Sequence, residues 1–262
     1  MSFLDALILG LIQGITEFLP VSSSGHLVMG QTLLNVQIPG VAFEVAVHVA
    51  TLFSVLLVFR KRVTGLALGV LRFDPEALRY LGLLVMATLP AVAVGLGAKE
   101  TLEGLFDVPE VVAVALLITG SFLWTSKRAL AREPKGRPGP REAILMGFAQ
   151  AFAIIPGISR SGATVVTGLW LGLEAEEAAA FSFLMAVPAI LGAAILELPE
   201  LLAGAGGVGG GPLVLGGVAA GIAGVLAIWA FLAMLKQKSF HRFGPYCWSV
   251  GALFLLYLMV WA

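Results

Sequence analysis

Apolar residues run through this chain in long blocks, not in the one-faced pattern of a water-soluble helical domain. A helix needs about 20 predominantly apolar residues to cross a ~30 Å hydrocarbon core. Six stretches qualify: 41–59, 80–98, 108–126, 177–198, 212–235 and 244–262. Two more segments, 3–35 and 142–173, are apolar but interrupted by Pro, Gly and polar residues. The first carries Gln13-Gly-Ile-Thr-Glu17-Phe-Leu-Pro20-Val-Ser22-Ser23-Ser24-Gly25-His26. The second carries Gln150, then Pro156-Gly157-Ile-Ser159-Arg160-Ser161-Gly162-Ala-Thr164. Sliding one onto the other by 137 positions pairs Gly10 with Gly147, Gln13 with Gln150, Ser22 with Ser159, Ser24 with Ser161 and Gly25 with Gly162. Over positions 10–25 these five identities in sixteen positions all fall at polar or glycine sites, which indicates an internal repeat.

Composition agrees with a lipid setting. Of 262 residues, 59% are hydrophobic and 12% charged, against about 45–50% and 25% in soluble domains. A formal charge of zero gives no electrostatic footprint for nucleic acid. The single Cys247 excludes an intramolecular disulfide framework and a multi-cysteine zinc site. Fourteen of the sixteen basic residues lie in three connections: Arg60 to Arg79, Lys127 to Arg141 and Lys236 to Arg242. Positive loops stay in the cytoplasm, so the acidic or glycine-rich 99–107 and 197–211 go outside, as do both termini. The first basic residue is Arg60; the N-terminus lacks the positive region of a cleaved signal and is read as mature sequence. Tyr80, Trp124, Tyr246, Trp248 and Trp261 fall near span ends, where aromatic belts form.

That charge pattern holds if each broken segment enters and leaves on the same side. Both therefore read as re-entrant helix–loop–helix hairpins; the rival reading makes each a full kinked span, eight in all. Three spans follow each hairpin, which inverts the second copy relative to the first. The expectation is an all-α polytopic membrane protein with six transmembrane helices plus two re-entrant hairpins in an inverted-topology repeat. It forms a single domain over 1–262, repeat one about 1–126 and repeat two about 142–262, joined by a cytoplasmic loop 127–141.

The hairpin tips carry the candidate chemistry. Proline ends the incoming helix and serine caps the outgoing one, whose free N–H groups make an anion site. Arg160 costs about 2.5–3.5 kcal/mol at the membrane centre, and a phosphate or diphosphate would offset that through bidentate charged hydrogen bonds. Ser23 is the candidate nucleophile, with His26 (one face, i,i+3) or Glu17 as its base. Gln13, Ser22, Ser24, Ser159, Ser161 and Thr164 are candidate phosphate contacts. Structural alternatives stand beside these readings. Serines bond back to their own backbone in membrane helices, Gln13 and Gln150 serve as interhelical glue, and Glu17 serves as a partner of Arg160. Glu44 and His48 form either a structural pair or a wall of the same cavity. Glu174, Glu176 and Glu177 read as the capped start of the fourth span, and His241 as a solvated loop residue.

Over its whole length, and above all at the two tip motifs, Phe43-Glu44-Val45 and Phe181-Ser-Phe-Leu-Met-Ala-Val-Pro188, the chain resembles the bacterial undecaprenyl-pyrophosphate phosphatase family of bacitracin-resistance proteins. The resemblance implies a multi-pass enzyme of the bacterial cytoplasmic (inner) membrane. Such an enzyme cleaves the C55 polyprenyl diphosphate at an outward-facing site, releases phosphate, regenerates the monophosphate carrier and raises tolerance to bacitracin. It usually acts with a divalent cation, magnesium or calcium. Carried over by motif, Glu17, Ser23, His26 and Arg160 are catalytic, and Glu17 is the metal-ligand candidate. Gln13 stands where many members have glutamate; an amide can offer its oxygen or N–H but cannot be a base. The partners implied are the polyprenyl diphosphate and the bilayer, with a homodimer left open. A lipid-phosphate flippase or secondary transporter with a midplane anion site is the alternative, since it uses the same parts.

Overall fold

The computed structural model describes the chain except residues 35, 37–41, 135, 203–207 and 262 and, inside its helices, the side chains of 42, 103, 197–202 and 261. Lys135, the first residue of the 41–59 stretch, residues 203–207 of the expected outer connection and the side chains of Glu197 and Trp261 thus lie outside the described residues. The described chain is helical: α1 (Phe3–Phe18), α2 (Ser23–Leu34), α3 (Ala42–Val58), α4 (Arg60–Leu71), α5 (Pro75–Gly97), α6 (Lys99–Phe106), α7 (Pro109–Ala129), α8 (Pro140–Phe152), α9 (Arg160–Trp170), α10 (Ala175–Leu202), α11 (Gly210–Lys236) and α12 (Phe243–Trp261). One isolated parallel bridge joins Gly136 and Leu173.

Each long apolar stretch expected from the sequence is a helix: α3, α5, α7, α10, α11 and α12. Among the described residues five segments are long and apolar enough to cross a membrane, on α5, α7, α10, α11 and Phe240–Val260; α3 and α4, bent by 82° to each other, pass the same test only taken together. The basic connection 60–79 is therefore not a loop. Its Arg60-Lys61-Arg62 opens α4, which turns away from α3 at Phe59 and buries no residue. Arg62 ties α4 down, donating to both carboxylate oxygens of Glu177 on α10 at 3.0 and 2.5 Å and lying 5.0 Å from the centre of the Tyr80 ring. Glu176 pairs with Lys236 at 3.2 Å. The acidic start of α10 thus anchors two cationic segments as well as opening the helix.

Outside, the helices are greasy. Phe53, Ile195, Val214, Leu253 and Met259 are each about two-thirds exposed or more, a liability in water and the expected surface toward lipid. Inside, the buried rings of Phe18, Phe183, Phe231 and Phe240 run edge to face with centroids 5.5, 5.0 and 5.3 Å apart. Small residues bring helices into backbone contact. A Cβ at Gly10 would strike the Gly216 carbonyl of α11, and one at the repeat-equivalent Gly147 would lie 2.6 Å from the Ala87 carbonyl of α5. Both broken segments are in this way clamped onto long helices.

His241 is not a freely solvated loop residue. It is half-buried, its ring meets Trp124 edge-on at 5.7 Å, and its Nδ1 is buried without a partner among the described residues.

Candidate active site

Each broken segment is two helices joined by an irregular turn at the residues that predicted it. α1 stops at Phe18 because Pro20 forces its predecessor out of helical geometry: Leu19 is extended, at φ −63° and ψ 143°. The first turn runs 19–22 and the second 153–159. Gly157 permits the second, with φ +93° and a would-be Cβ 2.5 Å from the Val112 carbonyl. Ser22 holds the left-handed region without being glycine, at φ 69°, a local strain of the kind stored at functional sites.

The outgoing helices start alike. Ser22 Oγ accepts from the Gly25 amide at 3.3 Å, and Ser159 Oγ from the Gly162 amide at 3.0 Å. Ser22 and Ser24 hydroxyls lie 3.3 Å apart, as do those of Ser159 and Ser161. The two turns also touch: Ser161 Oγ donates to the Leu19 carbonyl at 3.3 Å, and a Cβ on Gly25 would lie 3.1 Å from Gly157 Cα. Thr119 of α7 pins the second turn, donating to the Gly157 carbonyl at 2.8 Å and accepting from the Ser159 amide at 3.2 Å.

Glu17 is the hub of this junction. It is 6% exposed. Arg160 Nη2 donates to its Oε1 at 2.8 Å. Ser23 Oγ donates to its Oε2 at 2.5 Å, and Gln13 Nε2 to the same oxygen at 2.9 Å. His48 Nε2 stands 3.7 Å from Oε2. Ser23 and Arg160 are repeat equivalents, 137 positions apart, and each is the first residue of its outgoing helix. One carboxylate therefore bridges the two hairpins through matching positions, joining a hydroxyl to a guanidinium. Gln13 donates to Glu17 within its own helix, and its amide oxygen is buried without a partner among the described residues.

His26 is placed differently from the sequence expectation. Its Nδ1 lies 2.8 Å from the Ser22 carbonyl and its Nε2 2.9 Å from the Tyr246 hydroxyl, with the two rings stacked 6° from parallel. A carbonyl only accepts, so Nδ1 carries the proton and the neutral Nε2 accepts from Tyr246. Among the described residues it makes no hydrogen bond to Ser23 or Glu17. Ser23 shares a helix face with His26 but spends its proton on Glu17.

Ser182, which the sequence shows only as part of the Phe181–Pro188 motif, belongs to the site. Its hydroxyl lies 2.6 Å from that of Thr164, and its carbonyl 3.5 Å from Arg160 Nη1. The available signal was a hydroxyl inside the apolar run 178–188 of α10. Thr119 carried the same signal, and Tyr246 read only as a belt residue. His48 joins the site, so the cavity-wall reading of the Glu44–His48 pair is the one this geometry favours; the carboxylate of Glu44 turns instead to Gln31 Nε2, at 3.0 Å. Gln150 is buried, with neither amide atom partnered among the described residues.

Residues 6–253 match the family described as bacitracin resistance protein BacA. The chain belongs to that family. It is similar to the undecaprenyl-diphosphatase of Syntrophotalea carbinolica, 41% identical over 260 residues that cover 97% of this chain and 98% of the relative. It is also similar to those of Desulforapulum autotrophicum (38% identical, 98% of both chains) and Bacteroides fragilis (39%, 97% of both).

Glu17 is the carboxylate that this BacA-family site would offer a divalent cation. Magnesium takes one or two carboxylates and fills the rest of its shell with water and substrate phosphate oxygens. Among the described residues no three His, Cys, Asp or Glu side chains converge. Both oxygens of Glu17 are already taken, one by a guanidinium.

Proposed function

We propose that this protein hydrolyses undecaprenyl diphosphate to undecaprenyl phosphate and inorganic phosphate, returning the lipid carrier to cell-wall synthesis. The observation that carries the reading is the Ser23–Glu17–Arg160 junction: a hydroxyl, a proton acceptor 2.5 Å away and a cation on the same carboxylate. Ser23 attacks the terminal phosphorus in line while Glu17 draws off its proton. The free donors of Arg160 and the N–H groups at the starts of α2 and α9 hold the equatorial oxygens. The lipid monophosphate leaves into the bilayer, and water then frees phosphate from Ser23. Gln13 orients Glu17, while Ser22, Ser24, Ser159, Ser161 and Thr164 shape the two turns that present the N–H groups. Phosphate release from a C55 polyprenyl diphosphate by the purified protein in detergent tests this directly. Transfer of the lipid across vesicles with no phosphate release would identify a transporter.

The architecture that accompanies this reading is six spans and two re-entrant hairpins, the second copy inverted, in the bacterial inner membrane. Both termini and the site lie outside, and 60–79, 127–141 and 236–243 lie in the cytoplasm. The basic-residue distribution and the matched hydrogen bonds of the two turns support it. Single cysteines replacing Leu102 and Arg132, in a Cys247→Ser background, test the orientation. An impermeant thiol reagent on intact cells should label position 102 and spare 132; the reverse pattern would invert the topology.

A further inference from the structure

We infer that Arg79, Arg137 and Arg141 form a binding site for the phosphate headgroup of an anionic phospholipid, at the opposite end of α8 from the hairpin tip. They line a cavity of about 280 Å³ between the starts of α5 and α8 and the connection 171–173. One carboxylate shares the lining, and it is engaged: Glu142 Oε2 accepts from the Gly139 amide at 3.0 Å. Asp74, near the start of α5, is likewise spent as its cap, accepting from the Glu76 amide at 3.2 Å. Among the described residues none of the three arginines forms an ion pair or a side-chain hydrogen bond, whereas Arg62 and Arg160 each hold a glutamate. The loop that carries Arg137 is fixed. Gly136 bridges to Leu173, its carbonyl accepts from the Glu174 amide at 3.3 Å, and Pro138 is buried. Like charges gathered around one cavity repel each other, and a phosphate relieves that by accepting paired N–H donors from the planar forks.

The surroundings of the cavity say what carries the phosphate. α5 is long and apolar enough to cross a membrane from Pro75 to Gly97, so Arg79, near its first turn, stands at headgroup depth. α8 runs away from the cavity beside α5, close enough that a Cβ on Gly147 would lie 2.6 Å from the Ala87 carbonyl. Along α8, Arg141 is followed at i+4, i+7 and i+11 by Leu145, Phe148 and Phe152, all exposed on the face it shares with them. Along α5, Leu78, Leu81, Val85 and Leu89 are exposed at the same kind of spacing. A positive cavity from which an apolar strip leads into the bilayer complements a phospholipid, with charge at the head and acyl chains along the strip. Basic pockets between spans bind anionic headgroups in this way. In the topology proposed above, the lipid belongs to the cytoplasmic leaflet and tethers the base of the second hairpin.

The test is binding of dioctanoyl phosphatidylglycerol to the full chain in a neutral detergent, read as a saturable rise in Tm. Dioctanoyl phosphatidylcholine and inorganic phosphate are run beside it. The expected result is a rise with the anionic lipid that neither of the others matches at the same concentration. Arg79→Gln, Arg137→Gln and Arg141→Gln should each weaken binding about fivefold, and the triple variant about 10²-fold. All three side chains are exposed and stand apart from the hairpin tips, so the variants should fold, and their phosphate release from C55 polyprenyl diphosphate should stay within about threefold of wild type. Removing three exposed cations elsewhere, with Lys61→Gln, Arg72→Gln and Arg128→Gln together, should leave the affinity for the lipid within about twofold. An equal loss in that control makes the effect one of overall charge and overturns the site. Undiminished binding by the single and triple pocket variants puts the lipid elsewhere and overturns it as well. Inorganic phosphate that matches the lipid makes free phosphate the ligand, and phosphatidylcholine that matches it removes the role of the headgroup charge; either overturns the lipid assignment. None of these outcomes touches the phosphatase reading, which fails only if the wild type releases no phosphate.

Discussion

Arg160→Lys should lose most of the activity, with kcat/KM about 10²–10³ below wild type and within about tenfold of Arg160→Ala. The argument is a count of donors. A guanidinium has five N–H groups in a rigid fork, an ammonium three on a flexible stem. Arg160 spends one on Glu17 and directs another at the Ser182 carbonyl, which leaves the rest of the fork for a phosphate. Lysine meeting the same internal partners has a single N–H left and no planar pair to match two phosphate oxygens. Losing a charged contact that tightens in the transition state costs about 3–4 kcal/mol, which sets the expected rate loss. Folding separates the two variants. Arg160→Ala leaves the buried Glu17 carboxylate without its cation, at about 3–5 kcal/mol, whereas lysine keeps a positive charge beside it. Arg160→Lys should therefore unfold close to wild type, and Arg160→Ala earlier. Near-wild-type turnover by Arg160→Lys would mean that the residue supplies charge alone.

Much of this arrangement was readable in the sequence because the signals are local. A run of about 20 apolar residues becomes a helix whatever its neighbours, so all six long stretches were found. A proline flanked by serines and glycines breaks a helix wherever it stands, so both turns were found, and the shared spacing predicted their matched caps. Contacts between distant segments leave no local trace. Nothing near His26 announces Tyr246, 220 positions away, and the sequence left both His26 and Glu17 as bases for Ser23; the hydrogen bond goes to Glu17, on the far side of the turn. The basic run at 60–62 marked a boundary correctly but looked like a loop, because its fixed position depends on Glu177 of α10. Ser182 and Thr119 matter through the turn or residue they brace, and each is a lone hydroxyl in an apolar helix when read alone.

Ser23→Ala should abolish phosphate release, by about 10³-fold or more, while the protein still folds and binds the diphosphate lipid. Three hydroxyls stand side by side in this turn, and the structure assigns them different work. Ser22 bends the chain at φ 69° and caps α2 through the Gly25 amide. Ser24 reaches Ser22 at 3.3 Å. Only Ser23 of the three meets a carboxylate, at 2.5 Å, and a hydroxyl already sharing its proton with an acceptor is the one prepared to attack. Removing it deletes one donor of the three on Glu17 and leaves Arg160 and Gln13 in place, so the junction should hold. Ser22→Ala costs about 1 kcal/mol of cap stability, and with Ser24→Ala should retain measurable turnover. The covalent step gives a direct reading. Acid-quenched wild type, mixed with diphosphate lipid labelled in its terminal phosphate, should carry the label on Ser23, and Ser23→Ala should carry none. A Ser23→Ala protein that keeps most of its phosphate release makes water the nucleophile. Glu17 would then be the base that activates it, with Arg160 holding the same oxygens.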